Sequence, residues 1–98
     1  MIRDDIKTAL TDSMKAKDSA RVGAIRLIQA AIKNRDIEAR TGGAPADDDV
    51  LVMEVLGKMA KQRRESIEMF EKGGRAELAA AEKAELDVIE SFLPKQMT

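Results

Sequence analysis

The apolar positions recur at helical intervals along almost the whole chain. Ile2, Ile6, Leu10 and Met14 follow at steps of four, which predicts a first helix with those residues on its inner face. The stretch from Lys15 to Ser19 interrupts the pattern. Asp18 or Ser19 is suited to cap a second helix by accepting from its free amides. Val22, Ile25, Ile28 and Ile32 form the stripe of that helix, which is predicted to reach Arg40. Thr41-Gly42-Gly43-Ala44-Pro45 predicts a loop. Asp47, Asp48 and Asp49 then mark the start of a third helix, where negative charge complements the helix dipole.

The third helix is predicted over Asp48 to Lys72, with Val52, Leu56, Met59, Ile67 and Phe70 inward. Gly57 inside it costs about 1 kcal/mol relative to Ala, and a close helix–helix approach would account for it. Gly73-Gly74 ends the helix, one of the pair in the left-handed conformation. The fourth helix is predicted over Arg75 to Phe92, with Leu78, Ala81, Ile89 and Leu93 inward, and Pro94 stops it. No strand-like alternation and no internal repeat is found. The expected fold is all-α, a four-helix antiparallel bundle with two long central helices, in a single domain over residues 1–98.

Composition narrows the function. The chain has no cysteine and no histidine, which excludes disulfide scaffolds, thiol catalysis, imidazole metal sites and a Ser-His-Asp triad. Trp and Tyr are absent and Phe is only 2, so an aromatic platform for stacking bases is not expected. No apolar run approaches the ~18 residues that span a membrane, and no signal-peptide core is present. A cytoplasmic protein without cofactor or metal is the expectation.

Charge placement is more informative than the net charge of −1. On helix three, Glu54–Lys58, Lys61–Glu65, Arg64–Glu68 and Glu68–Lys72 are spaced as pairs on a solvated face. Arg63 is different. At 100° per residue it falls between Leu56 and Met59, inside the apolar stripe. Glu82 and Glu85 fall on the stripe of helix four. Folding helices three and four about Gly73-Gly74 brings Arg63 to the same height as the two glutamates. An Arg63–Glu82–Glu85 seam is therefore predicted. It fixes the register of the hairpin, and the alternative of an anion site is opposed by the two carboxylates.

Between residues 15 and 35 there are six bases, Lys15, Lys17, Arg21, Arg26, Lys33 and Arg35, against the single acid Asp18. Arg26, Lys33 and Arg40 recur every seven residues and form a stripe, which can track phosphates or be an ordinary exposed edge. Residues 76–98 are acidic, with two bases and five acids, so the chain is polar in charge. No Gly-rich phosphate loop or nucleophile elbow occurs. The Asp47–Asp49 run could hold a divalent ion weakly, but it reads first as a helix start. The six methionines read as core filler.

Several motifs together resemble one family. Lys58-Met-Ala-Lys61-Gln-Arg63-Arg64-Glu-Ser-Ile67 precedes Phe70-Glu-Lys-Gly73-Gly-Arg75 and Glu77-Leu78. Glu82, Glu85-Leu86 and Phe92-Leu93-Pro94-Lys-Gln96-Met97 follow, and Arg21, Arg26-Leu27-Ile28 and Ala30-Ala31-Ile32-Lys33 lie upstream. Across essentially the whole chain these resemble the GatB/YqeY family, specifically the stand-alone YqeY-like proteins. Arg63, Glu82 and Glu85 match positions characteristic of that family. The resemblance implies an N-terminal helical bundle followed by a smaller C-terminal helical domain, which the chain ending at Thr98 lacks. The Gly- and Asp-rich loop over 41–49 departs from the more charged connection the family leads one to expect.

The resemblance also implies a relation to the tail of the B subunit of the glutamine-dependent tRNA amidotransferase, a carbon–nitrogen ligase. That tail contacts tRNA, while separate domains carry the chemistry. The expectation is a non-catalytic module associated with tRNA, with Arg21, Arg26, Lys33, Lys61 and Arg64 offered as phosphate contacts from charge placement. The alternative is an adaptor without an RNA role, binding the amidotransferase or another protein through the segment from Phe92 to Met97 and the charged faces. An independent ligase is the least supported reading, since no catalytic constellation is present.

Overall fold

The computed structural model describes residues 1–43 and 45–93. Four α-helices follow in order: α1 (Ile2–Lys15), α2 (Ser19–Ala39), α3 (Asp48–Lys72) and α4 (Ala76–Ser91). The expected all-α four-helix bundle is the observed fold. Cross-helix pairs fix its sense. Arg3 meets Asp36, Arg35 meets Glu54, and Arg63 meets Glu85. In each pair the partners flank a loop at comparable distances along the chain, so successive helices run antiparallel. Leu93 and its neighbours pack at the end of α4, whereas the segment from Pro94, including most of the adaptor surface expected there, lies outside the described residues.

Each boundary has a local cause. The Asp18 carboxylate caps α2 by accepting from the Arg21 amide at 3.1 Å. The Asp47 carboxylate caps α3 by accepting from the Asp49 amide at 2.9 Å. At the end of α3, Gly74 takes φ +73°. The Arg75 amide donates to Phe70 O at 2.8 Å and the Gly74 amide to Glu71 O at 3.2 Å. That pattern satisfies two orphan carbonyls and turns the chain into α4 within three residues. The same motif ends α1, but there the left-handed position is Lys17 at φ 57°. The Asp18 amide donates to Ser13 O at 3.0 Å and the Lys17 amide to Met14 O at 3.1 Å.

The core gathers Ile6 from α1, Ile25, Ile28 and Ile32 from α2, Val52, Leu56 and Met59 from α3, and Leu86 and Ile89 from α4. The inner faces of α1 and α4 differ from the expected ones. In α1, steps of four advance 40° each beyond full turns, so Met14 has rotated off the stripe by the last turn. Met14 is exposed and Ser13 is buried in its place. In α4, Leu78 and Ala81 are exposed, and Ala79, Leu86, Val88 and Ile89 are buried. No residue between Ala60 and Ala79 is buried, because the tip of the α3–α4 hairpin has no third helix behind it. Ile67 and Phe70 are accordingly only half-buried. Gly57 is also not explained by close approach: a Cβ there would meet nothing within 4 Å.

Candidate functional site

The polar groups fall into three clusters. The first is the hairpin seam. Arg63 continues the α3 line that runs through Met59, and Glu82 and Glu85 sit on the inward side of α4, so the short Gly73-Gly74-Arg75 connection sets them level. Arg63 Nε donates to Glu85 Oε2 at 2.7 Å and lies 3.3 Å from Glu82 Oε2. All three side chains are half-buried, Arg63 being 20% exposed. Burial pushes the Glu82 carboxyl above its ordinary value; Arg63 opposes the rise, and the neighbouring Glu85 carboxylate adds to it. The guanidinium is thus already shared between two carboxylates. This is the geometry of a register lock rather than of a site that takes up an anion.

The second cluster has no counterpart in the sequence reading. Arg3, in the first turn of α1, bridges the last turn of α2 and the first of α3. Its Nη1 and Nη2 donate to the two oxygens of Asp36 at 3.0 and 3.2 Å, and its Nε and Nη2 donate to Asp48 at 3.0 and 2.8 Å. These bonds stabilise the guanidinium cation, raising its pKa, and hold the Asp48 carboxyl below its usual range. Beside it, the Ile2 amide donates to Asp49 Oδ1 at 3.0 Å. The acidic run is therefore fully engaged. Asp47 caps α3, Asp48 binds Arg3 and Asp49 receives the start of α1. The expected helix start is correct, and it also clamps three helix ends together.

The third cluster is the set of bases proposed for phosphate contact. They do not form one surface. Arg21 is half-buried and lines a groove between α2 and α4 with Ala81, Ala84, Glu85 and Val88. Arg64 is turned toward α4, where its Nη2 meets Glu90 Oε2 at 2.9 Å instead of pairing with Glu68. Glu68 pairs with Lys72 at 2.9 Å. Lys61 is exposed on the outer side of α3. Arg26, Lys33 and Arg40 are exposed along one edge of α2. That edge is roughly 100–180° around the helix from Ala31, Asn34, Arg35 and Glu38, which line a groove to α3. Among the described residues, Arg26, Lys33 and Arg40 make no ion pair.

The ancestry of this arrangement is shown by comparison with known proteins. The family model described as Yqey-like protein matches residues 3–98. The chain belongs to the YqeY-like family. Among curated relatives, the mitochondrial "Altered inheritance of mitochondria protein 41" of Eremothecium gossypii is 36% identical over 88 residues, 90% of this chain and 46% of that protein. The protein of the same name from Lachancea thermotolerans is 35% identical, over 91% of this chain and 46% of its own length. That of Saccharomyces cerevisiae is 32% identical, over 95% of this chain and again 46% of its own. This YqeY-like chain thus spans about half the length of these relatives. Their names overturn the cytoplasmic expectation, since they are mitochondrial proteins. That expectation rested on the lack of a membrane-spanning run and of a secretory signal core, and neither reports on a mitochondrial destination.

Proposed function

We propose that this YqeY-like domain is a non-catalytic binding module whose contact surface is the outward side of α2. The observation that carries this reading is the division of the charged groups. The Arg63 and Arg3 clusters are consumed by structure, whereas the Arg26–Lys33–Arg40 edge is exposed and has no ion-pair partner among the described residues. A protein partner fits it better than tRNA, because the five bases that a phosphate track would use are spread over separate parts of the surface. The resemblance to the amidotransferase tail keeps tRNA as the second reading, and the regular basic edge is the feature that favours it.

Binding of total tRNA to the purified chain across a salt series tests this. The expected result is a dissociation constant of about 100 µM or weaker at physiological salt, the weak end of non-specific binding, with a slope reflecting three or fewer phosphate contacts. Micromolar binding with a slope near five, abolished by Arg26→Glu with Lys33→Glu, would instead make the domain a tRNA module. Turnover of misacylated tRNA to its amide by the chain alone would overturn the non-catalytic reading.

A further inference from the structure

α2 has a core side and a second, uncharged outward side that carries two large apolar residues. Its core side carries Ala24, Ile25, Ile28 and Ile32. On its outward side, Gly23, Leu27, Ala30, Asn34 and Ile37 follow at alternating steps of four and three, the spacing by which one helix packs along another. All five are exposed, and Leu27 and Ile37 are each 48% exposed, two large aliphatic side chains on one line of the helix. Among the described residues Gly23, Leu27, Ala30 and Ile37 are left open, while Asn34 also borders the groove to α3. A Cβ on Gly23 would meet no atom within 4 Å, so no internal packing calls for a glycine that costs about 1 kcal/mol in a helix. An approaching helix would give it a purpose.

The surroundings continue the surface. At the N-terminal end of the seam, Met14, Lys17, Val22, Gly23 and Arg26 line an open groove between the end of α1 and α2, with Met14 53% exposed. The basic edge runs beside the seam over its whole length: Arg26 precedes Leu27 and Lys33 precedes Asn34, with Arg40 one heptad on. In a helix pair these are the flanking positions, where charge decides the partner.

We infer that the outward face of α2 docks an amphipathic helix of a partner protein, one with large apolar residues in its seam and acidic residues along its flank. The inference rests on the reading of the domain as a binding module and names the class of partner. Charge argues against a second copy of this chain. An antiparallel pair of α2 helices sets the basic edge against itself. A parallel pair turns it toward Ala24, which the core covers, and toward Ala31 and Glu38 at the α3 groove, a single acid for three bases, and stacks Gly23 on Gly23 and Ala30 on Ala30. Charge and shape together call for a different helix, acidic at the flank and bulky opposite the small residues.

The test uses two designed helical peptides of the length of α2 with a leucine seam, one flanked by glutamate and its twin flanked by lysine. The glutamate peptide is expected to bind the full chain, with the lysine twin at least about tenfold weaker. Leu27→Asp should lower the affinity of the glutamate peptide about tenfold or more, and Arg26→Glu with Lys33→Glu should reverse the preference. These positions are exposed, so both variants should melt like the parent, which separates lost docking from lost folding.

Equal affinity for the twins, or none, would overturn the inference. Self-association removed by Leu27→Asp would give the face to a second copy. Binding of tRNA lost in the charge-reversed variant and kept in Leu27→Asp would give it to nucleic acid. In the last two outcomes the inference fails while a binding module on α2 survives. If peptide, second copy and tRNA all fail to bind, that reading falls as well.

Discussion

Replacing Arg63 by Met removes the charge at the hairpin seam while keeping most of the aliphatic stem. Two effects follow. The charge-assisted bond to Glu85 at 2.7 Å and the contact to Glu82 at 3.3 Å are lost. The two half-buried carboxylates are then left facing each other without a cation. A hydrogen bond to a charged group contributes about 1.5–3 kcal/mol. Partial exposure of all three side chains reduces that, and stranding the carboxylates adds to it, so the net loss is about 2 kcal/mol. For a domain of this size, that corresponds to a fall in melting temperature of roughly 8–16 °C.

The penalty has a characteristic pH dependence. Without Arg63, which opposes the rise, the folded-state pKa of Glu82 moves further above its unfolded value. The folded state then binds a proton at Glu82 more readily, so the penalty is full at neutral pH and fades as pH falls through the raised Glu82 value. Urea unfolding at several pH values measures this directly. A triple variant, Arg63→Met with Glu82→Gln and Glu85→Gln, should regain most of the loss, because no carboxylate is left unpaired. The reasoning is refuted if Arg63→Met costs less than about 0.5 kcal/mol at neutral pH, or if its cost grows in acid.

The two glutamates should separate in the same assay. Burial raises the Glu82 carboxyl, so its ionised form costs stability above its folded pKa, and Glu82→Gln should be neutral or stabilising by a few tenths of a kcal/mol at neutral pH. Glu85→Gln should cost about 1 kcal/mol by losing the shorter bond. Lys17→Gly should stabilise by about 0.5–1 kcal/mol, because the left-handed φ of 57° costs a side-chain-bearing residue more than glycine loses in unfolded-state entropy; thermal melts check the sign. The bond to Arg3 holds the Asp48 carboxyl low, so its stabilisation is present above the unfolded pKa and is lost as pH falls through the folded value. Arg3→Met should therefore cost about 1 kcal/mol at neutral pH, allowing for the one-third exposure of both groups, and should flatten the acid limb of the stability profile.

The parts of this fold that could be read from sequence are those governed by one helix or one hairpin. The boundaries of α2 and α3 follow from Asp18, Asp47 and the Gly73-Gly74 pair. The Arg63 seam follows from counting outward from that glycine pair along two regular helices. Faces were less legible where neighbours decide them. Leu78 and Ala81 look inward on a wheel, but they sit where the hairpin has outrun the rest of the bundle. Met14 is lost to the drift of a four-residue step. The Arg3 clamp joins residues from three helices, 33 and 45 positions apart in sequence. No local pattern marks it, and only the meeting of the α1, α2 and α3 ends brings the groups together.

The outward seam of α2 was partly visible as the seven-residue recurrence of Arg26, Lys33 and Arg40. Its apolar half was hidden, because Leu27 and Ile37 are only two large residues among glycine, alanine and asparagine and make no stripe of their own. The core side, through Ile25, Ile28 and Ile32, was legible, and the structure adds that Leu27 and Ile37 stay exposed.

On the proposed reading, α2 serves the core with one side and a partner with the other. The most direct measurement is a backbone amide NMR titration of the labelled chain with the glutamate-flanked peptide. Shift changes should concentrate at Gly23, Leu27, Ala30, Asn34 and Ile37 and along the Arg26–Lys33–Arg40 edge. The exposed apolar residues at the hairpin tip, Met69 and Leu78, should stay silent. Changes centred on Met69 and Leu78, with α2 undisturbed, would contradict it.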